Sequence, residues 1–157
     1  MTNSVSIYKI RRVFRAPLPF VYAWCTDYTN ADRRLQGDPG SRQIIKKTSR
    51  SALYEDLNET PHGWMWSRQT VTFQPPDRWR ATAIGNYRTW NLEHCLRQLP
   101  DGRTEFTMRG ERRATSLGVT NPPKTVLERE LQIMWRNLGN ALERSYRALR
   151  PRTSSRR

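Results

Sequence analysis

The longest hydrophobic pattern runs over Asn121–Arg150, where Leu127, Leu131, Met134, Leu138, Leu142 and Leu149 recur at three- and four-residue steps, with a gap at Ser145. That spacing puts one apolar stripe on a single helical face. Arg129, Arg136, Glu143, Arg144 and Arg147 fall mostly away from it. Asn121 is the expected N-cap, Pro122 the expected first helical residue, and Pro151 marks the stop. Glu128 and Glu130 sit near the positive end. Gly139 interrupts the stripe beside Trp135, Leu138 and Leu142, at a cost of about 1 kcal/mol against Ala. Two readings of it stand: close packing against a strand, or a thinned helix wall beside a cavity.

Upstream, the period changes from helical to alternating. Val5–Arg15 is rich in Val, Ile, Tyr and Phe and predicts a first strand, which Ala16-Pro17-Leu18-Pro19 breaks. Phe20, Val21, Trp24 and Tyr28 follow at helical spacing and predict a helix of about two turns, with a second helical turn over Asn30–Leu35. Gly37-Asp38-Pro39-Gly40 is a turn. Strand-like stretches then cover Arg42–Ser49, Ala52–Asn58, Trp64–Phe73, Trp79–Ile84, Tyr87–Leu99 and Thr104–Thr115. Turns at His62-Gly63, Pro75-Pro76-Asp77, Gly85-Asn86 and Pro100-Asp101-Gly102 separate most of them. Short connections make sequential strands neighbours. The predicted architecture is α+β: a curled antiparallel sheet of about seven strands, two short helices after the first strand, and the C-terminal helix closing the concave face. Residues 1–150 form one domain in this reading, and 151–157 form a basic disordered tail. Space between helix and sheet is a natural place for a ligand.

Charge complicates that picture. Lys plus Arg number 28 against 14 acids, a net +14. An excess of this size points to phosphate-rich partners: nucleic acid, a ribosome or an anionic membrane surface. The plain alternative is a solvated arginine-rich surface, because the arginines are spread along the whole chain. No apolar run reaches membrane-spanning length, and the polar N-terminus lacks a signal-peptide profile, so the expected location is cytoplasmic. Cys25 and Cys95 belong to no CxxC or Cys/His cluster, so neither a metal nor another cofactor is expected. Two reduced thiols are the simpler reading of the pair, and a disulfide stays open.

Three pieces of sequence, taken in order, resemble the START/SRPBCC superfamily, the helix-grip proteins that include polyketide cyclase-like members. The first is Phe14-Arg15-Ala16-Pro17-Leu18-Pro19-Phe20-Val21-Tyr22-Ala23-Trp24 followed by Asp27-Tyr28. The second is Phe73-Gln74-Pro75-Pro76-Asp77-Arg78-Trp79. The third is Asp101-Gly102-Arg103-Thr104-Glu105-Phe106, where Arg103 departs from the usual adjacent Gly-Thr. The resemblance covers about Val5–Leu149. It implies an apolar or amphipathic cavity under the helix, a structural role for Asp27, and no shared catalytic residue.

Period two then selects the residues that line such a cavity. On one strand Trp90, Leu92, His94 and Leu96 share the more apolar face; on the last strand Phe106, Met108, Gly110 and Arg112 share one. On Trp64–Phe73 the facing stays open, with Trp64, Trp66 and Arg68 on one side and Met65, Val71 and Phe73 on the other. The candidate ligand-binding set is Trp66, Trp90, Leu92, His94, Phe106, Met108, Arg112, Trp135 and Leu138. His94 is either a satisfied core histidine or an acid/base group. Arg112 either snorkels to water or meets a ligand carboxylate or phosphate. Arg12 and Tyr8 pose the same question, and His62 falls in an exposed turn. The leading function is binding or carrying of a small hydrophobic or amphipathic ligand, anionic ones included. The alternatives are a cyclase- or hydrolase-type enzyme acting in the same cavity and a basic nucleic-acid or ribosome-associated module.

Overall fold

The computed structural model describes residues 5–30, 32–36, 40–60, 63–115 and 119–150. The basic tail, the turn at residues 37–39 and His62 lie outside the described residues. Strand β1 (Val5–Phe14) leads into helix α1 (Leu18–Cys25) and helix α2 (Asp32–Gln36). Six strands follow: β2 (Gly40–Lys47), β3 (Ser51–Thr60), β4 (Gly63–Gln74), β5 (Arg78–Gly85), β6 (Arg88–Gln98) and β7 (Thr104–Ala114). Helix α3 (Lys124–Leu149) ends the described fold. The seven strands form one antiparallel sheet in the order β1-β7-β6-β5-β4-β3-β2, so β1 and β2 are its two open edges. The predicted α+β layout is the observed one.

The breaks fall where backbone chemistry demands them. Ala16 and Pro17 separate β1 from α1, and Pro17 accepts the first helical bond from Val21 N–H. Pro75-Pro76-Asp77 joins β4 to β5. Gly102, at φ +84°, turns β6 into β7 in a region that a side chain disfavours. The hairpin expected at Gly85-Asn86 turns one residue later, because Gly85 still pairs with Ser67. Asn86 then ties the turn to β4: its Oδ1 accepts Trp66 N–H at 2.9 Å and its Nδ2 donates to the Trp64 carbonyl at 2.9 Å.

Helix α3 starts later than the capping pattern predicts. Pro123, not Asn121, is the N-cap. A residue before proline is pushed out of the helical region, so Pro122, followed by Pro123, stays outside the helix. Asn121 instead donates to the Arg112 carbonyl at 3.0 Å. The stripe is buried at Leu127, Trp135, Leu138 and Leu142 and half-buried at Leu131 and Met134. Leu149 departs from it: at 70% exposure it lies beyond the point where Tyr146 still packs on Phe20. At Gly139 a Cβ would sit 2.7 Å from Phe14 Cε1 and 3.1 Å from Arg12 Nε. Gly139 therefore lets α3 lie close on β1, the first of the two readings. Both cysteines are free thiols. No helix among the described residues is long and apolar enough to cross a membrane.

Candidate functional site

The concave face of the sheet and the underside of α3 enclose a cavity of about 260 Å³. Its middle is apolar: Trp79, Ala81, Leu92, Met108, Leu131, Met134 and Leu138 line it. Period two explains the sheet contribution. Trp90, Leu92 and His94 alternate inward on β6, and Met108 and Arg112 do so on β7, in the predicted facing. Trp135 and Leu138 reach the cavity from α3.

Two of the nine candidates stand elsewhere. Trp66 points to the outer face, with the Arg68 guanidinium 5.8 Å from its ring. The inward set on β4 is Met65, Ser67, Gln69 and Val71, so Met65 takes the position expected for Trp66. Register decides this: Gln69 turns inward to bond Tyr54 and Asp56, and the period of two then puts Trp64 and Trp66 on the outer face. Phe106 does face inward but is fully buried behind Trp135, with ring centroids 4.2 Å apart, and belongs to the core rather than the cavity wall.

His94 is held in one orientation. Its ring stacks on Trp79 at 4.6 Å and 5°, and its Nδ1 lies 3.3 Å from the Trp79 carbonyl oxygen. A carbonyl accepts, so Nδ1 carries the proton and donates, and Nε2 keeps its lone pair. Burial holds the His94 pKa down at about 4, against the opposing pull of the Trp79 carbonyl. His94 is thus neutral near pH 7 and offers the cavity wall a hydrogen-bond acceptor. No carboxylate contacts it among the described residues; Glu93 pairs with Arg80 at 3.0 Å on the opposite side of the strand.

At the β2–β3 edge of the cavity sits a buried ionic network that the sequence does not advertise. Arg42 donates from Nε to Asp56 Oδ1 at 2.8 Å and from Nη2 to Oδ2 at 2.9 Å. Gln69 Nε2 donates to Asp56 Oδ2 at 3.1 Å, and Tyr54 donates to Gln69 Oε1 at 2.6 Å. Asp32 approaches Arg42 at 3.5 Å, and the guanidinium lies 4.2 Å from the Tyr54 ring centroid. Burial works against the Arg42 charge, but the Asp56 bond and the neighbouring Tyr54, Asp56 and Asp32 raise its pKa overall. Such a pair is costly to break one-sidedly, at roughly 3–5 kcal/mol, because the remaining charge is stranded. In sequence, Arg42 and Asp56 look like surface charges; only the alternation Ala52, Tyr54, Asp56 hints that Asp56 turns inward. Tyr28 and Cys25 also line this edge. Burial raises the pKa of both, so neither is an activated nucleophile or base. Asp27 points outward to Lys47 at 3.4 Å.

The β1–β7–β6 edge is different. Tyr8, Arg112 and Arg88 line it, with Trp90 opposite Arg112 in register. Tyr8 lies across Gly110, where a Cβ would land on its ring. Arg88 Nη2 donates to the Thr120 carbonyl at 3.2 Å. Burial lowers the Arg88 pKa, and the like charge of Arg112 lowers it further. Arg12, on the same strand face as Tyr8, is instead turned under α3 beside Gly139.

No protein-family model and no curated protein matches this sequence. Solved structures do match. The Zhui aromatase/cyclase from Streptomyces sp. R1128 aligns at TM-score 0.70 and 12% identity, covering 96% of this chain and 99% of that one. A START superfamily protein from Mycobacterium smegmatis aligns at TM-score 0.63 and 11% identity, over 92% of this chain and 99% of that one. The di-domain aromatase/cyclase StfQ of the steffimycin biosynthetic pathway aligns at TM-score 0.66 and 16% identity, over 87% of this chain. The present chain spans 44% of the StfQ chain. Identities this low carry the fold alone. A seven-stranded curled sheet, an Ala-Pro opening into a short helix and a long C-terminal helix over the concave face together give this chain the helix-grip fold that it shares with those structures.

Proposed function

We propose that the protein binds or carries a small amphipathic molecule in the cavity between sheet and α3. The observation behind this reading is the cavity's composition: an apolar centre with polar groups at both edges and a neutral histidine in the wall. Small-molecule sites follow that plan, with apolar walls and a few placed polar groups. The size bounds the ligand. About 260 Å³ falls just below the ~300–1,000 Å³ usual for small-molecule sites. It suits one compact ring system or a single medium alkyl chain, and it is too small for a two-chain lipid.

The cyclase or hydrolase reading, with His94 as acid or base, has weaker support. A histidine with its pKa at about 4 is a poor base, and no second titratable partner touches it among the described residues. The nucleic-acid reading has less. Arg68, Arg80, Arg97, Arg103 and Arg113 each meet a carboxylate on the sheet surface or in a turn, which interleaves the two signs there.

The test is titration with N-phenyl-1-naphthylamine, a neutral apolar fluorophore. Saturable enhancement at one site per chain, with competition by single-chain alcohols or naphthalenes, is the expected result. Absence of saturable binding across such a panel refutes the carrier reading.

A further inference from the structure

Both edges of the cavity carry arginine, but only one edge neutralises it. Arg42 has Asp56 in bidentate contact and Asp32 nearby. Arg88 and Arg112 have no ion pair among the described residues, and Nε of each is buried without a hydrogen-bond partner. Trp135 Nε1, also on the cavity wall, is a third buried N–H with no acceptor. All three orphaned groups are donors. A buried donor left unsatisfied costs ~1–3 kcal/mol, more when charged. The sheet builds the pair deliberately close. Arg112 faces Trp90 and Arg88 faces Ala114, so the two arginines are diagonal neighbours on adjacent strands. Such neighbours stand ~7–8 Å apart at the backbone, within reach of one shared ligand group for two long side chains. Tyr8, packed over Gly110 on the next strand, brings its hydroxyl to the Arg112 guanidinium.

We infer that Arg88, Arg112 and Tyr8 form an oxyanion clamp, so that the ligand is an amphipathic anion with a carboxylate or phosphate head at this edge and its apolar body across Leu92, Met108 and Leu131. This inference rests on the cavity being a ligand site. An oxyanion brings several acceptor lone pairs and a negative charge to a place that holds donors and two positive charges. Paired guanidinium contacts to such a head are short, charge-assisted and directional. Glu130 is the carboxylate nearest in effect to Arg88, but it is solvent-exposed on α3 and makes no ion pair with it.

The experiment separates this inference from the reading beneath it. N-phenyl-1-naphthylamine is bound to the full chain and displaced by 1-decanol, decanoate or decyl phosphate at pH 7. Decanoate or decyl phosphate should displace the probe at a concentration at least tenfold below that of 1-decanol; whichever of the two is tighter identifies the head group. Arg112→Met and Arg88→Met should each erase most of that preference, read within each variant as the ratio of the alcohol to the anion concentration that displaces the probe. If the probe binds but acid, phosphate and alcohol compete equally, or none competes, the clamp is refuted and the apolar cavity stands. If the probe itself does not bind, the cavity reading fails and the clamp with it. The wild-type comparison needs no variant, so a poorly folding substitution leaves the result decisive.

Discussion

His94 shows how a fold can set a side chain's chemistry by position alone. Its ring stacks on Trp79 and is flanked by Phe106 of β7 and Trp135 of α3, so a charge there would lie far from water. The folded pKa of about 4 is below the ordinary 6.5. Between those values the unfolded chain binds a proton that the folded chain refuses. Stability is therefore complete above pH 6.5 and falls as pH drops through the window toward 4. Between pH 7 and pH 5 the loss from this one group is about 2 kcal/mol. Urea denaturation of the wild type and of His94→Gln at both pH values checks it. The variant should lose most of that pH dependence, and an unchanged slope would mean that His94 is solvated or charged in the native state.

At the scale of elements, the contacts that shape the cavity are glycine-mediated. Gly139 brings α3 onto β1, and Gly110 makes room on β7 for the Tyr8 ring from β1. Tyr8 is almost fully buried, so it has no free direction in which to yield. Gly110→Ala is expected to destabilise the fold by about 1–3 kcal/mol through overpacking. In a Tyr8→Ala background the same change should be nearly neutral, a coupling that a double-mutant cycle by chemical denaturation measures directly. Element identity was legible from sequence because most strands are rich in β-branched or aromatic residues and most turns between them carry Gly or Pro, the Thr48-Ser49-Arg50 link between β2 and β3 excepted. Facing was legible on β6 and β7, where one side is clearly more apolar. It was not legible on β4. There the inward side carries Ser67 and Gln69, and the outward side carries Trp64 and Trp66. Gln69 completes a network centred on Asp56, which depends on β2, β3 and β4 being adjacent. Residue spacing within one strand carries no such information.

For the whole molecule, the question is whether the space under α3 is kept open for a ligand or is merely imperfect packing. The two alternatives respond differently when it is filled. Ala81 lies mid-sheet on β5, between Val71 and Leu92 in register, and lines the cavity floor. Ala81→Leu adds apolar atoms where the structure has room for them, each buried methylene contributing ~0.8 kcal/mol if it fits without strain. A cavity maintained for function at the expense of stability predicts a variant that melts a few degrees higher, since ~1 kcal/mol moves the midpoint by roughly 2–4 °C at this size. The same variant should bind N-phenyl-1-naphthylamine at least tenfold more weakly, because the added side chain occupies the ligand's place. Calorimetry and the fluorescence titration read the two quantities separately. Unchanged probe affinity would locate the ligand outside the cavity, and a lower melting temperature would show that no usable space exists beside Ala81. Higher stability together with lost binding is the outcome that ties the apolar centre of the helix-grip cavity to what the protein does.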